Sequence, residues 1–315
     1  MTGDAGGGLR PVGAVAVFEH RSVLLEEVAG LLSGCRRILD GTAGAGGHAR
    51  RLAEAGALVV AIDRDPDAVR AARATLGESA TVRQLDFADA ARDSDISSLA
   101  PDGILLDLGV SSPQIDDASR GFTFRPGAPL DMRMTADDGP TAAQWLNDAP
   151  AAELGAAFAD FGDEPRARAL ARELVRRRAS HAFAVSDDLV NAIRAVLGPR
   201  SGPADFARLF QAVRIAVNGE LDRLARALPG LLGVLSSGGV LAVISYHSGE
   251  DRIVKHVFRE WARDCGCPPR QPVCTCRGRA LGTVVTKRAI VPTPDEVAAN
   301  PRARSARLRA FRKAA

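Results

Sequence analysis

The hydrophobic positions of this chain fall into short apolar runs that recur along its first third and again near its end. These runs lie at 36–40, 58–62, 81–85, 103–107 and 239–245. Continuous apolar runs of this length are typical of parallel strands that are buried on both faces. Helix-compatible segments at about 46–55 and 65–76 separate the first three runs. This alternation predicts an α/β fold with a doubly wound, Rossmann-like parallel sheet.

A long block without strand-like runs lies between Asp107 and the run that begins near Val240. The block is predicted to be mainly helical, at 141–147, 150–161, 164–179, 186–197 and 204–228. Structureless loops of this length are uncommon, so the block is best explained as an inserted domain. We predict a helical insertion at 119–227 that interrupts a sheet domain made of 18–118 and 228–315. Because such sheets bind ligands beyond the carboxyl ends of their strands, the insertion would stand over the ligand.

The segments outside these blocks carry weaker patterns. The glycine-rich residues 1–17 predict a disordered tail and lack the features of a secretory signal. Beyond the last long run, residues 250–263 favour a helix and residues 282–286 favour a short strand. Residues 301–315 form a basic tail with six cations and no acid.

Composition and charge narrow the class of protein. Of the 315 residues, 46% are hydrophobic and 25% are charged, as in an ordinary soluble protein. The net charge is only +3, so the field of the whole molecule would not draw nucleic acid strongly. The basic runs at 164–178 and 301–315 are interpreted either as solvated faces or as phosphate-binding surfaces. No apolar stretch reaches the ~20 residues that span a bilayer, so we expect a cytoplasmic protein without a membrane partner.

A glycine-rich turn after the first apolar run carries a clear chemical signal. The run ends at Asp40 and is followed by Gly-Thr-Ala-Gly-Ala-Gly-Gly and His48. Glycines here let the backbone approach a ligand where a Cβ atom would clash. The candidates are Gly44, Gly46 and Gly47. The second apolar run ends in Asp63, where a carboxylate is expected to bind the ribose hydroxyls of a nucleoside cofactor.

Asp40 favours S-adenosylmethionine over a dinucleotide as that cofactor. A carboxylate would repel a pyrophosphate, whereas it would attract the methionine amino group of the sulfonium cofactor. The chain also lacks a G-x-G-x-x-G run. A methyltransferase is therefore favoured, and an NAD-dependent oxidoreductase is the disfavoured alternative.

Polar residues also follow the later strands. Asp107 ends the fourth run, and Ser111-Ser112-Pro113-Gln114 forms the loop after it. Amino-group methyltransferases have a polar loop with proline at this point, where hydrogen-bond acceptors hold an exocyclic amine. Asp107, Ser111, Ser112 and Pro113 are therefore candidate catalytic residues. Phe87, after the third run, is a candidate to pack on the adenine ring, with core packing as the alternative.

His247 follows the last long run, within Ser245-Tyr246-His247-Ser248. A histidine at the carboxyl end of a strand faces the ligand crevice in this architecture. It is interpreted either as a catalytic residue that accepts a proton or binds substrate, or as a helix cap.

The four clustered cysteines have two possible interpretations. Cys265, Cys267, Cys274 and Cys276 have the spacing C-x-C-x6-C-x-C. Four thiols could hold a structural zinc ion, although zinc knuckles usually have C-x2-C spacing, and free thiols on a loop are the alternative. Cys35 is predicted to be a buried residue. No metal is predicted in the catalytic site.

Several long motifs together resemble the ribosomal RNA small subunit methyltransferase H family, the cytosine-N4 methyltransferases of 16S rRNA. The resemblance extends from about Phe18 to Arg312. It rests on the segments Asp40–His48, Ala61–Pro66, Asp102–Gln114, Gly121–Phe124, Pro129–Met134, Phe210–Asn218, Ser245–Lys255 and Asn300–Ser305. The chain departs from the usual pattern of the family at Ser22, Leu209 and Tyr246.

This resemblance implies a cofactor, a substrate and a set of site residues. The cofactor would be S-adenosylmethionine, and its contacts would be Gly46, Gly47, His48, Asp63, Phe87, Asp107 and Gln114. The substrate would be one cytidine in the decoding region of 16S rRNA, methylated on N4 by direct in-line transfer. Phe122, Phe124 or Tyr246 could stack on its base. The cytidine would be presented in the small ribosomal subunit or in a late assembly intermediate, and the helical insertion would recognise it. A homodimer is one open alternative for the oligomeric state.

Other functions remain as alternatives at this point. The chain could be a non-catalytic ribosome-assembly factor that retains the cofactor pocket. It could also be an amino-group methyltransferase that acts on another nucleic acid. A methyl-transfer assay separates the first alternative from an enzyme, and analysis of the methylated product separates the second.

Overall fold

A computed structural model describes residues 22–135, 139–265, 267, 271–273, 275 and 278–315. It describes the backbone of Ser112 and Pro113 but not their side chains. The predicted tail at 1–17 lies outside the described residues. The interpretation of the cysteines as a zinc site depends on Cys274 and Cys276, which also lie outside them. Within the described part of the chain, no helix has both the length and the apolar character to cross a membrane.

A seven-stranded sheet forms the centre of the fold, in the order β3-β2-β1-β4-β5-β7-β6. Its strands are β1 Arg37–Asp40, β2 Leu58–Asp63, β3 Thr81–Gln84, β4 Gly103–Asp107, β5 Val240–Ser245, β6 Gly282–Val284 and β7 Arg307–Lys313. Strands β1 to β5 run parallel, and β7 runs antiparallel to both β5 and β6. The predicted α/β sheet is therefore confirmed. Strand β3 lies at the edge of the sheet, so it is half exposed rather than buried as the apolar run suggested.

The basic segment 301–315 is not a tail as predicted, because most of it is strand β7 inside the sheet. Leu308, Ala310 and Phe311 are buried in the sheet cores. Arg309 is buried as well, and its guanidinium donates to the Asp251 carboxylate at 2.7 and 3.1 Å. Lys313 Nζ donates to the carbonyl oxygens of Leu232 and Gly233 at 2.8 and 3.3 Å. These cations satisfy internal acceptors, and a charge count along the sequence cannot reveal that.

Helices connect the strands and build a separate block between β4 and β5. They are α1 Leu25–Leu31, α2 Gly47–Glu54, α3 Pro66–Leu76, α4 Ser94–Leu99, α5 Ser112–Asp116, α6 Ala142–Asp148, α7 Ala151–Asp160, α8 Ala167–Arg178, α9 Ser186–Leu197, α10 Pro203–Asn218, α11 Glu220–Val234, α12 Ser248–Trp261 and α13 Pro294–Ala299. The single helix predicted at 204–228 is wrong, since Gly219 takes a left-handed φ of 58° and separates α10 from α11. A non-glycine residue would resist that conformation.

The buried apolar side chains form three clusters. Two lie on opposite faces of the sheet, because neighbouring residues of a strand point to opposite sides, as Ile38 and Leu39 do. The third is built mainly from α6 to α10 and includes Leu154, Phe158 and Leu209. Helix α11 packs instead on the sheet. The insertion at 119–227 stays a prediction, and this packing favours a C-terminal edge near Gly219.

Candidate cofactor and acceptor site

A cavity of about 820 Å³ opens at the carboxyl ends of the parallel strands. It is lined by residues that directly follow β1, β2 and β4, such as Thr42, Arg64 and Leu108. The strand order reverses between β1 and β4, which is where open α/β sheets bind their ligands. The fold therefore places four of the predicted residues, Gly44, Gly47, Asp63 and Asp107, around one cavity.

The glycine turn between β1 and α2 forms one wall. It begins as an extension of the sheet, since the Gly41 N–H donates to Leu105 O at 2.8 Å and the Ala43 N–H donates to Ile62 O at 2.9 Å. Gly44 then takes a φ of 52° and lines the cavity. Gly47 also lines it, and a Cβ there would overlap the Ser22 hydroxyl.

Gly46 has a different role in the same turn. Its φ is 86°, and a Cβ at this position would lie 3.2 Å from Leu76 Cγ. It is not among the residues that line the cavity. Gly46 therefore packs α2 against α3, and direct contact of Gly46 with the cofactor stays a prediction.

Asp63, at the end of β2, is held by the glycine turn. Its Oδ2 accepts the Gly44 N–H and its Oδ1 accepts the Asp65 N–H, both at 2.9 Å. Burial raises the pKa of Asp63, and these backbone donors oppose that shift. The carboxyl group lines the cavity together with the half-buried Phe87. The two residues predicted for the nucleoside end of the cofactor are thus brought together.

Asp40 lies next to the cavity but does not line it. Only 1% of the residue is exposed. Its Oδ1 accepts the Thr42 N–H at 3.2 Å, whereas no hydrogen-bond donor reaches Oδ2 among the described residues. Burial raises the pKa of Asp40 to about 6, and His48 opposes the shift. A buried acceptor without a donor is suited to bind an ammonium group, which is consistent with the predicted contact to the methionine amino group. That contact itself stays a prediction.

The raised pKa of Asp40 predicts a pH-dependent stability. Its folded pKa of about 6 exceeds the ordinary 3.8, so the folded chain binds this proton more tightly than the unfolded chain. The stability contribution of Asp40 is therefore present below pH 4 and is lost as the pH rises to 6. Asp40→Asn should raise the free energy of unfolding of the cofactor-free protein at pH 8 by up to about 3 kcal/mol, and it should leave that free energy unchanged at pH 4. The melting temperature should rise accordingly at pH 8 only. Thermal melts at both pH values test this, and equal shifts would contradict it.

Asp107, at the end of β4, is the centre of a hydrogen-bonded group. Its Oδ1 accepts the Tyr246 hydroxyl at 2.9 Å, and its Oδ2 lies 3.5 Å from His48 Nε2. Its backbone N–H donates to the Thr42 hydroxyl at 2.5 Å. The Asp107 side chain is 22% exposed, and it lines the cavity. A carboxylate can accept about four hydrogen bonds, so Asp107 can still receive a donor from a ligand.

Asp107 shifts the pKa values of Tyr246 and His48. Burial raises the pKa of the Tyr246 phenol and Asp107 raises it further, so the hydroxyl keeps its proton and donates. Burial lowers the pKa of His48, but Asp107 and Asp40 outweigh that effect and raise it. The sequence predicted Tyr246 only as a ring that could stack on a base, and it indicated no role for Thr42. Their roles depend on contacts between distant segments.

The loop after β4 is anchored by Gln114. Its Oε1 accepts the Ser111 N–H at 2.8 Å, and its Nε2 donates to Asp65 Oδ2 at 2.5 Å. Asp65 also caps α3 and accepts from Arg120 at 2.9 Å. Ser111 and Gln114 line the cavity. The predicted roles of the Ser112 and Pro113 side chains lie outside the described residues.

His247 is the N-cap of α12. Its Nδ1 accepts the Glu250 N–H at 3.4 Å, and its Nε2 lies 3.2 Å from Glu250 Oε1. Only 8% of the side chain is exposed, and it does not line the cavity. This geometry favours the helix-cap alternative, and a catalytic role for His247 stays an untested prediction.

Two of the three aromatic residues predicted to stack on a base lie away from the cavity. Phe122 and Phe124 pack against the helical cluster, and Phe124 meets Phe206 and Phe210 edge to face at 6.0 Å. Neither lines the cavity. Sequence reasoning instead missed Arg214 and Glu220, which do line it. The available signal was a cation between Val213 and Ile215 in an otherwise apolar stretch of helix.

A mainly parallel sheet, a glycine turn after its first strand, and acids at the ends of β2 and β4 around one cavity are typical of methyltransferases that use a nucleoside cofactor. The model of the MraW methylase family matches residues 17–314, and the chain belongs to this family. It is an S-adenosylmethionine-dependent methyltransferase.

Curated relatives cover nearly the whole chain. A protein of Gemmatimonas aurantiaca named ribosomal RNA small subunit methyltransferase H is 54% identical over 96% of this chain and 98% of its own length. Proteins of the same name from Myxococcus xanthus and Heliobacterium modesticaldum are 45% and 44% identical, each over 94% of this chain. The matched regions cover 98% and 99% of the lengths of these two proteins, respectively.

Proposed function

We propose that this protein methylates the N4 amine of a specific cytidine in the decoding region of 16S rRNA by direct in-line transfer. The names of its relatives, which state small subunit ribosomal RNA, support the substrate class. The placement of Asp107 supports an amine as the group that accepts the methyl. Asp107 is a partly exposed carboxylate at the cavity, held in place by Tyr246 and next to His48. An exocyclic amine is the donor that such an acceptor fits.

The chain has suitable groups for the cofactor. Gly44 and Gly47 would allow its close approach, Asp63 would accept from the ribose hydroxyls and Phe87 would pack on the adenine. A Cβ at position 47 would overlap the Ser22 hydroxyl, so glycine leaves open space in this wall of the cavity. When bound, S-adenosylmethionine supplies an electrophilic methyl group carried on a sulfonium.

Asp107 would activate the amine by orientation. The lone pair of a cytosine amine is delocalised into the ring, which makes the amine a poor nucleophile. A carboxylate that accepts an N–H of this amine favours the pyramidal geometry in which the lone pair is available. As N4 bonds to the methyl carbon, the bond from that carbon to the sulfonium sulfur would break, and the sulfur would leave with the electron pair as a neutral thioether. N4 must then lose one proton, and Asp107 is the adjacent group that can accept it. His48, with its raised pKa, would stabilise the charge of Asp107 before the transfer.

Exposed arginines are candidates to bind the RNA backbone. Arg302 lines the mouth of the cavity and pairs with Asp116 at 2.7 Å. Arg304, Arg168 and Arg172 are exposed and have no ion-pair partner within the described residues. Phosphate contacts of this kind release counterions, so affinity for RNA should fall steeply with salt.

The proposal is tested by tritium transfer from labelled S-adenosylmethionine. The substrates are small ribosomal subunits that lack their own cytosine-N4 methylation, and the product is digested to nucleosides. Label in N4-methylcytidine is the expected result. Label in another nucleoside would refute the N4 assignment. Absence of label, with cofactor binding intact by titration, would favour the assembly-factor alternative.

Cys35 should be dispensable for this reaction, because direct transfer needs no covalent intermediate. Burial and Asp102 raise the pKa of the Cys35 thiol to about 11, so it is not a ready nucleophile. Its Sγ donates to Asp102 O at 3.2 Å, just before β4 begins. Cys35→Ser should keep the initial rate of tritium transfer unchanged. A large loss of rate in a folded Cys35→Ser protein would point to covalent catalysis.

A further inference from the structure

The cavity has a second polar wall that the proposed cofactor contacts do not use. Arg214, near the end of α10, and Glu220, the first residue of α11, line this wall together with Glu250 of α12. The side chains of Arg214 and Glu220 are only 12% and 9% exposed. A buried ion pair that faces a cavity is a costly arrangement, which makes it a candidate for ligand recognition.

The geometry of the ion pair leaves part of the Arg214 guanidinium available. Nε donates to Glu220 Oε1 at 2.8 Å and Nη2 donates to Glu220 Oε2 at 2.9 Å. This side-on contact uses two of the five N–H donors of a guanidinium. Among the described residues, the Arg214 side chain has no other hydrogen-bond acceptor. Its Nη1 and the outer N–H of Nη2 therefore remain as a two-donor fork for a ligand.

The wall is continuous with the proposed acceptor group. Glu250 Oε2 accepts the Tyr246 N–H at 2.8 Å, and the Tyr246 hydroxyl donates to Asp107. Glu250 also interacts electrostatically with Arg214. The cavity thus presents the Asp107 carboxylate and the Arg214 guanidinium, which are connected through Tyr246 and Glu250.

A metal ion is a weaker interpretation of this cluster. Ligand atoms of Glu220, His247 and Glu250 lie within 4.8 Å of one another, a spacing that could hold a cation. However, Arg214 already neutralises Glu220 through two hydrogen bonds. His247 Nδ1 accepts the Glu250 N–H, so the proton of the neutral ring is on Nε2. Neither ring nitrogen then has a free lone pair to bind a metal ion.

One edge of cytosine offers hydrogen-bonding groups that are complementary to both Asp107 and Arg214. Along one edge cytosine presents the N4 amine as donor and then N3 and O2 as acceptors. A flipped base is commonly read through this edge. Asp107 would accept from N4, and the Arg214 fork would donate to N3 and O2. Uracil has a donor at N3, and adenine has a C–H where cytosine has O2.

We propose that Arg214, oriented by Glu220, recognises N3 and O2 of the target cytosine and selects cytosine over the other bases. This inference rests on the proposed N4 methylation and adds the residue that reads the base. Lysine at position 214 could still pair with Glu220, but it would present a point charge instead of a planar fork. Arg214→Lys is therefore the informative substitution.

The test combines this substitution with a change of the base. Small subunits are reconstituted with cytidine or with 3-deazacytidine at the target position, so that N3 is replaced by C–H. Wild-type enzyme should lose roughly 10–100-fold in kcat/KM on the deaza substrate, since a good hydrogen bond to a charged donor is lost. Arg214→Lys should be slow on both substrates, and its deaza penalty should be roughly tenfold smaller than that of wild type. Comparing the two ratios cancels the altered reactivity of the 3-deaza amine.

Two control variants make the result specific. Arg223→Lys applies the same change to another cavity arginine, which pairs with Asp86 at 2.7 Å, and it should keep the wild-type deaza penalty. Glu220→Gln should reduce the penalty, because the fork loses its orientation. Melting temperature and cofactor titration confirm that each variant folds. A deaza penalty equal in wild type and Arg214→Lys would overturn the inference, whereas absence of N4-methylcytidine with wild-type enzyme would overturn the proposed function instead.

Discussion

Replacing Asp107 by asparagine is expected to lower the rate of methyl transfer at saturating cofactor by about 100- to 1,000-fold. The Asp107 carboxylate accepts from Tyr246 at 2.9 Å and faces His48 at 3.5 Å, so its position is fixed before a substrate arrives. An asparagine amide would occupy the same space. One of its two ends would be a donor, which repels an amine N–H and cannot take up its proton.

Rate and cofactor affinity must be measured separately for this variant, because the family resemblance also implies a cofactor contact for Asp107. Single-turnover tritium transfer gives the rate, and titration gives the affinity. Asp102→Asn is the matched control at the opposite end of β4, where the carboxylate accepts the Arg36 and Arg37 N–H groups at 2.9 and 2.8 Å. A normal rate in Asp107→Asn would refute the role assigned to this carboxylate.

Replacing Asp63 by asparagine is expected to weaken cofactor binding by roughly 10–100-fold. Asp63 already accepts N–H groups of Gly44 and Asp65, and the ribose hydroxyls would be further donors. Each hydrogen bond to a charged acceptor contributes about 1.5–3 kcal/mol, and the amide loses both the charge and one acceptor. The substitution also loosens the glycine turn, since one amide end cannot accept a backbone N–H.

Calorimetric titration with S-adenosylmethionine measures this effect. Asp93→Asn is a suitable control, because Asp93 also accepts two backbone N–H groups, those of Asp95 and Ile96, but caps α4 and does not line the cavity. Cofactor affinity should be unchanged in the control. An Asp63→Asn protein that binds the cofactor as tightly as wild type would exclude the ribose contact.

The parallel part of the sheet was predictable because each strand is a local, continuous apolar run. Strands β1, β2, β4 and β5 lie within one or two residues of their predicted positions. Strand β7 was missed because arginine and lysine alternate with its apolar residues. Only the partners of these cations in the folded chain, such as Asp251 for Arg309, reveal that the segment is internal.

The site was predictable to the extent that its residues follow strands. Asp63 and Asp107 were identified because the carboxyl ends of parallel strands meet at one edge of a sheet. The contacts of Asp107 with Tyr246 and His48 were not predictable, because they join segments that are far apart in the sequence. The same holds for Arg214, whose sequence neighbours are core residues of a helix.

The sequence by itself determined the fold class, the cofactor type and the family resemblance, because each depends on local patterns: apolar runs, a glycine turn and contiguous motifs. Only the tertiary structure decided which polar groups share the cavity and which are used internally. It placed His247 at a helix cap, Arg309 in the sheet and Arg214 at the cavity wall. The physical reason is that a buried polar group takes its role from its hydrogen-bond partners, and those partners come from distant parts of the chain.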